Sequence, residues 1–121
     1  MTAELHICLT CRAGEETPEG CDRPGARLYA ALQAAGAAPG ITLRPVRCLS
    51  ACSNGCAVAL TRRGAWAYVY GHMAEADAPE ILRGAALYAA SADGVVPWRD
   101  RPEILRKRSL ARIPPLEAPD V

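Results

Sequence analysis

The sequence predicts an α/β fold with one mixed sheet of four strands and two main helices. Two observations support this prediction, the order of the elements and the length of the chain. A short strand precedes an amphipathic helix and a second strand, and a hairpin then precedes a second helix. Strands and helices in this order are typical of layered α/β folds. A chain of 121 residues also has the usual length of one domain with its own core.

The first half of the chain is predicted to hold a strand, a polar loop and a helix. Residues 4–8 alternate polar and apolar side chains and form a strand that ends at the first cysteine. Residues 24–35 repeat leucine and alanine at helical spacing. Asp22 is placed to cap the start of this helix, and Gly36 is placed to end it.

The second half begins with another strand and a hairpin. Residues 41–46 form the strand, and Pro45 indicates that the end of this strand lies on an edge or leaves the ladder, because proline cannot donate a ladder hydrogen bond. Residues 57–61 and 65–70 are two apolar runs joined by a turn in which Gly64 supplies a positive φ.

The second helix starts behind Asp77 and Glu80, which have the spacing of a capping box and carry Pro79 between them. We divide the chain after this helix, with a domain over 1–94 and a C-terminal arm over 95–121. The arm is rich in proline and arginine and is expected to be extended.

The composition excludes several classes of function. The formal net charge is +1, so no overall field attracts nucleic acid or an anionic membrane. The N-terminal residues lack a signal-peptide pattern, and no apolar run approaches the roughly 20 residues of a membrane span. We therefore expect a cytoplasmic protein, in which cysteines are more often metal ligands or redox thiols than disulfides.

The cysteines form two clusters, each following a predicted strand. These clusters are Cys8, Cys11 and Cys21 after the first strand, and Cys48, Cys52 and Cys56 after the second. If the two strands are neighbours in the sheet, their carboxyl ends bring both loops to one end of it. Thiolates gathered there suit zinc, copper(I) or an iron–sulfur cluster.

One pattern within these clusters has a known parallel. Cys8-x12-Cys21, then Cys48-x3-Cys52 with Ser-Asn-Gly and an apolar hairpin behind it, resembles the thioredoxin-like 2Fe-2S ferredoxins. The resemblance implies a thioredoxin-like fold whose 2Fe-2S cluster is held by these four cysteines. It also implies a one-electron carrier rather than an enzyme, with a reductase and an electron acceptor as redox partner proteins.

A second resemblance concerns the whole chain. An early C-x2-C-R, a C-L-x-x-C-x-x-G-C block and a later G-x-V-P-W-R are similar to an uncharacterised bacterial family of small proteins expected to bind metal. Its members are often encoded near cobalamin-biosynthesis genes. This resemblance implies a role in cobalamin or cobalt metabolism.

Three alternatives stay open. The cysteine pairs could close a structural zinc site, or the chain could be a metal-delivery module without redox turnover. Cys8 and Cys11 form a C-x2-C pair and could act as a dithiol oxidoreductase. Cys11 and Cys56 remain candidates for alternate ligands or redox thiols, and a homodimer also stays open.

Overall fold

The computed structural model describes residues 3–14, 16–18 and 20–116 of the chain. The strands and helices, in chain order, are β1 (Ala3–Cys8), α1 (Pro24–Ala35), β2 (Ile41–Val46), β3 (Val58–Thr61), β4 (Ala67–Tyr70), α2 (Ala78–Ala90), α3 (Glu103–Lys107) and β5 (Ser109–Ile113). The predicted α/β class is confirmed, and the predicted bounds of α1 and β2 match the structure.

In the described part of the chain, the sheet has five strands in the order β2-β1-β3-β4-β5. β1 and β2 are parallel, and every other neighbouring pair is antiparallel. The register places Cys8 opposite Val46, and it brings the start of β3 and the end of β4 to the same end of the sheet. We call this the cysteine end, and β5 also begins there.

The predicted four-stranded sheet lacked β5, which pairs antiparallel with β4. All five residues of β5 are exposed, so hydrophobic alternation could not indicate this strand. The residues after 94 therefore add a strand and the short helix α3 to the fold. The division at residue 94 into a domain and an arm stays a prediction.

The core lies between the sheet and the two longer helices. Leu28 and Leu32 of α1 and Ile81 of α2 pack with Leu5 and Leu60 of the sheet, and each is at most 2% exposed. Burial of a side chain of this size contributes about 1.5–3 kcal/mol. None of the described helices is long and apolar enough to cross a membrane.

The helix ends differ in part from the prediction. Gly36 ends α1 with φ +80° as predicted. The N-cap of α1 is Arg23, without a side-chain capping bond, so the assignment of Asp22 was wrong. The capping box of α2 was also wrong, because the Asp77 carboxylate accepts from the Ala74 amide and from Arg108. Arg108 is more than 30 residues away along the chain, beyond any local pattern.

Candidate metal centre at the cysteine end of the sheet

The loops after β1 and β2 are joined directly, as the parallel register requires. The Leu9 amide donates to the Val46 carbonyl oxygen at 2.9 Å. The Thr10 hydroxyl donates to the Arg47 carbonyl oxygen at 2.6 Å. The two strands are therefore neighbours, and the loops that follow them meet at one end of the sheet as predicted.

The six cysteines at this end divide by exposure. Those against the core are Cys8, Cys11 and Cys56, and those at the surface are Cys21, Cys48 and Cys52. The buried three are at most 1% exposed. The predicted ligand set therefore combines one buried cysteine at the end of a strand with three exposed cysteines in loops.

Cys8 lies where hydrogen bonds favour its thiolate. Burial raises the pKa of Cys8, but hydrogen bonds from the Cys11 thiol, from the Leu49 amide and from Thr10 outweigh it. The pKa of Cys8 is therefore below its ordinary value. Backbone amides directed at a sulfur are also the groups that stabilise a metal-bound thiolate.

Cys11 has the opposite character. Burial is the largest cause that raises the pKa of Cys11 to about 12, with the bond to Cys8 and the charges of Cys8 and Cys56 acting in the same direction. Its sulfur lies against the backbone of the second loop, where a Cβ on Gly55 would be 3.2 Å from it. Burial therefore favours the protonated form of Cys11 beside Cys8.

The N-terminal end of α1 contacts the first cysteine loop and fixes its position. The Gly25 amide donates to the Cys11 carbonyl oxygen at 3.1 Å. A Cβ on Gly25 would collide with the carbonyl oxygen of Cys8. Only glycine permits this approach of helix and loop, so Gly25 determines how closely α1 packs under Cys8.

Two of the three exposed cysteines, Cys21 and Cys52, border cavities that are also lined by arginine. Cys52 borders a cavity of about 360 Å³ with Thr10 and Gly14, and Cys21 borders one of about 420 Å³. Arg12 and Arg23 line both cavities. The Glu16 carboxylate also lines the cavity beside Cys21, so the two guanidinium groups offset part of the negative charge that would accumulate if several thiolates gathered there.

The second cysteine loop packs against the turn between β4 and α2. The His72 amide donates to the Asn54 carbonyl oxygen at 2.8 Å, and the Met73 amide donates to the Cys56 carbonyl oxygen at 3.1 Å. The His72 ring also hydrogen-bonds Asn54 through Nε2 and Oδ1, 3.0 Å apart. This turn fixes the end of the loop that carries Cys52 and Cys56.

The donor set fits a soft metal centre in chemistry and number. All six cysteines lie in the described part of the chain, and none of them is in a disulfide. Among the described residues, no three Cys, His, Asp or Glu side chains are close enough together to hold one metal ion. The thiols therefore share one end of the sheet without forming a closed cage, and the ligand set Cys8, Cys21, Cys48 and Cys52 stays a prediction.

Comparison with protein families gives the identity of the chain. The family described as "Protein of unknown function (DUF1636)" matches residues 5–115, which include all six cysteines and all of the sheet except its first two residues, Ala3 and Glu4. The chain belongs to the DUF1636 family. No curated protein matches this DUF1636 chain.

Solved structures share the fold of this DUF1636 protein. A thioredoxin-like [2Fe-2S] ferredoxin from Aquifex aeolicus is 15% identical, with a TM-score of 0.56 and 97% of each chain covered. A second structure of such a ferredoxin from this organism is 14% identical, with a TM-score of 0.56 over 91% of this chain and 97% of that one. A cysteine-to-serine variant of the thioredoxin-like [2Fe-2S] ferredoxin from Aquifex aeolicus is 15% identical. Its TM-score is 0.54, and the match covers 90% of this chain and 98% of that one. The thioredoxin-like fold predicted for the chain is therefore confirmed.

Sequence reasoning missed several residues of the DUF1636 site. Thr10 joins the two loops, and Arg12 and Arg23 line the cavities beside the exposed cysteines. Asp77 and Arg108 support the turn under the second loop. Arg12 stands in the C-x2-C-R motif and Asp77 in the predicted capping box, but neither motif indicates the contacts that these residues make in the structure.

Proposed function

We propose that this protein is a one-electron carrier with a 2Fe-2S cluster held by Cys8, Cys21, Cys48 and Cys52. The observation that carries the proposal is the parallel pairing of β1 and β2, which brings two cysteine-bearing loops to one end of the sheet. A thiolate-only donor set suits iron–sulfur chemistry, and the fold shared with [2Fe-2S] ferredoxins supports the same reading.

The four proposed ligands have different roles. Cys8 is the fixed one, because it ends a central strand and its sulfur accepts hydrogen bonds from the backbone amides of Leu49 and Thr10. Cys21, Cys48 and Cys52 are exposed and lie outside the strands, where the backbone moves more readily, so in this proposal they move toward a cluster anchored at Cys8. In this proposal Arg12 and Arg23 lower the electrostatic cost of four thiolates at one site.

A bound 2Fe-2S cluster would take up and release one electron, and its potential depends on hydrogen bonds, charge and exposure. The chain's own contribution is then to bind the cluster and to tune its potential. Its partners are a reductase and an electron acceptor, and we keep a cytoplasmic location as an expectation. A place in cobalamin or cobalt metabolism stays a prediction from family resemblance.

Metal analysis tests the proposal. Protein purified without oxygen should contain about two iron atoms and two acid-labile sulfides per chain. It should absorb visible light, and its reduced form should give an EPR signal. A colourless protein with one zinc ion and no sulfide would instead support the structural zinc site. Rapid metal exchange with a partner protein would support the metal-delivery module.

A second candidate function rests on Cys8 and Cys11, which are two buried thiols of one C-x2-C pair. In a dithiol oxidoreductase, these two thiols would lose two electrons and two protons and form a disulfide. A disulfide substrate would accept both and become two thiols. Insulin reduction by metal-free protein measures this activity. Loss of turnover in both Cys8→Ser and Cys11→Ser would support the candidate, and no turnover by the wild-type protein would exclude it.

A further inference from the structure

Arg108 connects the C-terminal segment with the cysteine end of the sheet. Its Nη1 donates to the Asp77 carboxylate at 2.7 Å and to the His72 carbonyl oxygen at 3.0 Å. The Arg108 carbonyl oxygen accepts from the Gly71 amide, also at 3.0 Å. One residue between α3 and β5 therefore holds both ends of the turn over residues 71–77.

The same turn holds the second cysteine loop. His72 and Met73 donate backbone hydrogen bonds to Asn54 and Cys56, as described above. The packing leaves no room for adjustment at Gly71, where a Cβ would lie 2.6 Å from the Asn54 carbonyl oxygen. It would also lie 2.9 Å from a methyl group of Leu110 in β5. The cysteine loop, the turn and β5 therefore meet at one point.

We propose that Arg108 is a positioning residue that holds the turn over residues 71–77 against the second cysteine loop. Through this contact the C-terminal segment determines where Cys52 and Cys56 lie. Any effect of Arg108 on a bound cluster rests on the proposed function. The effect of Arg108 on the position of the second cysteine loop in cluster-free protein is independent of it.

The charges around Arg108 explain why it can act in this way. Its partner Asp77 is only 18% exposed and also accepts from the Ala74 amide at 2.8 Å. A half-buried, charge-assisted pair is stronger than an exposed one. The neighbouring cations make other contacts, since Lys107 pairs with Glu103 on its own helix and Arg112 stacks on Trp66.

Alkylation of Cys56 in the cluster-free protein tests the contact directly. Cys56 is 1% exposed, and its loop must open before a reagent reaches the sulfur. We expect Arg108→Gln to raise the rate of Cys56 alkylation about tenfold, because local opening becomes easier when charged hydrogen bonds are lost. Lys107→Gln is the matched control and should leave the rate unchanged. Equal rates for Arg108→Gln and wild type would overturn the proposal, as would an equal increase in Lys107→Gln.

Two further variants keep the test valid if Arg108→Gln does not fold. Arg108→Lys keeps the charge for Asp77 but offers a single ammonium group in place of the planar guanidinium, so we expect a smaller increase in the alkylation rate. Asp77→Asn keeps the hydrogen-bond acceptor and removes the charge, and should also give an intermediate rate. Wild-type rates in both variants would overturn the proposal.

A measurement on loaded protein separates this inference from the proposed function. If wild-type protein binds the cluster, Arg108→Gln should shift its reduction potential and EPR signal, whereas Lys107→Gln should not. An unchanged potential and signal in Arg108→Gln would overturn the effect on the cluster. If wild-type protein binds no cluster, the proposed function fails, and the Cys56 alkylation rates still decide whether Arg108 holds the loop.

Discussion

The hydroxyl of Thr10 donates a 2.6 Å hydrogen bond to the carbonyl oxygen of Arg47. This bond joins the loop that follows β1 to the loop that follows β2. Because the same Thr10 also hydrogen-bonds the thiol of Cys8, one side chain links the two cysteine clusters at the point where the parallel strands end.

Replacement of Thr10 by valine should loosen this junction. Thr10→Val keeps the shape and removes the hydroxyl, so we expect a loss of about 1 kcal/mol in the free energy of unfolding. Urea denaturation of the cluster-free protein measures the loss. Thr42→Val, at an exposed position of β2, is the control and should change stability by less than about 0.5 kcal/mol. Equal losses of stability in the two variants would show that the hydrogen bond from Thr10 to Arg47 does not stabilise the fold.

Single serine substitutions should distinguish the cysteines. Cys8→Ser, Cys21→Ser, Cys48→Ser and Cys52→Ser should each lose most of the bound iron and the visible absorbance, because a serine hydroxyl is a poor ligand for iron in place of a soft thiolate. Cys11→Ser and Cys56→Ser should keep the cluster. Iron content and absorbance per chain measure both groups. Loss of the cluster in the second group alone would replace the proposed ligand set with one based on the buried thiols.

The close approach of α1 to the first cysteine loop predicts an effect of added volume. Gly25→Ala should cost about 1–3 kcal/mol in stability, since its Cβ meets the Cys8 carbonyl oxygen and the helix must move away. Denaturant unfolding checks the cost. Ala30→Ser, on the exposed face of the same helix, should cost less than about 0.5 kcal/mol. A neutral Gly25→Ala would mean that the helix and loop are less tightly packed than described.

Two adjacent arginines, one buried and one exposed, allow a controlled test of what stabilises the end of α2. Arg62 is 9% exposed and donates to the carbonyl oxygens of Tyr88, Ala89 and Ala92 at 2.9–3.1 Å. Arg62→Gln should lower the free energy of unfolding by about 2–3 kcal/mol, because bonds from a charged donor to the end of the helix are lost. Arg63 is exposed, and Arg63→Gln should change the free energy of unfolding by less than about 0.5 kcal/mol. Similar midpoints of thermal unfolding for Arg62→Gln and Arg63→Gln would contradict the proposed role of Arg62 at the end of α2.

The sequence predicted the elements whose burial follows a regular period. The alternation in β1 and the helical spacing in α1 reflect side chains that face the core, and both elements were found where expected. β5 has no buried residue and forms because its backbone pairs with β4, a long-range contact that leaves no period in the sequence. Asp77 has the spacing of a helix cap, but a distant arginine and a nearby amide bind its carboxylate instead.

For the candidate site, the sequence predicted the location but not which cysteines are buried. Spacing after two strands was sufficient to place all six cysteines at one end of the sheet. It could not indicate which thiols are buried, because that depends on the packing of Gly25 under the first loop and of Gly55 against Cys11. These are contacts between separate segments, and cysteine occurs both in cores and on surfaces.

The parallel pairing of β1 with β2 also bears on how the site is assembled. Strands that pair across an intervening helix pay the entropy of closing a long loop before their contacts form, so such pairings tend to be slow to form. Until β1 and β2 meet, Cys8 and Cys48 belong to separate stretches of an open chain. We therefore expect the full set of thiols to exist as a metal-binding unit only after the sheet has formed, so that loading follows folding.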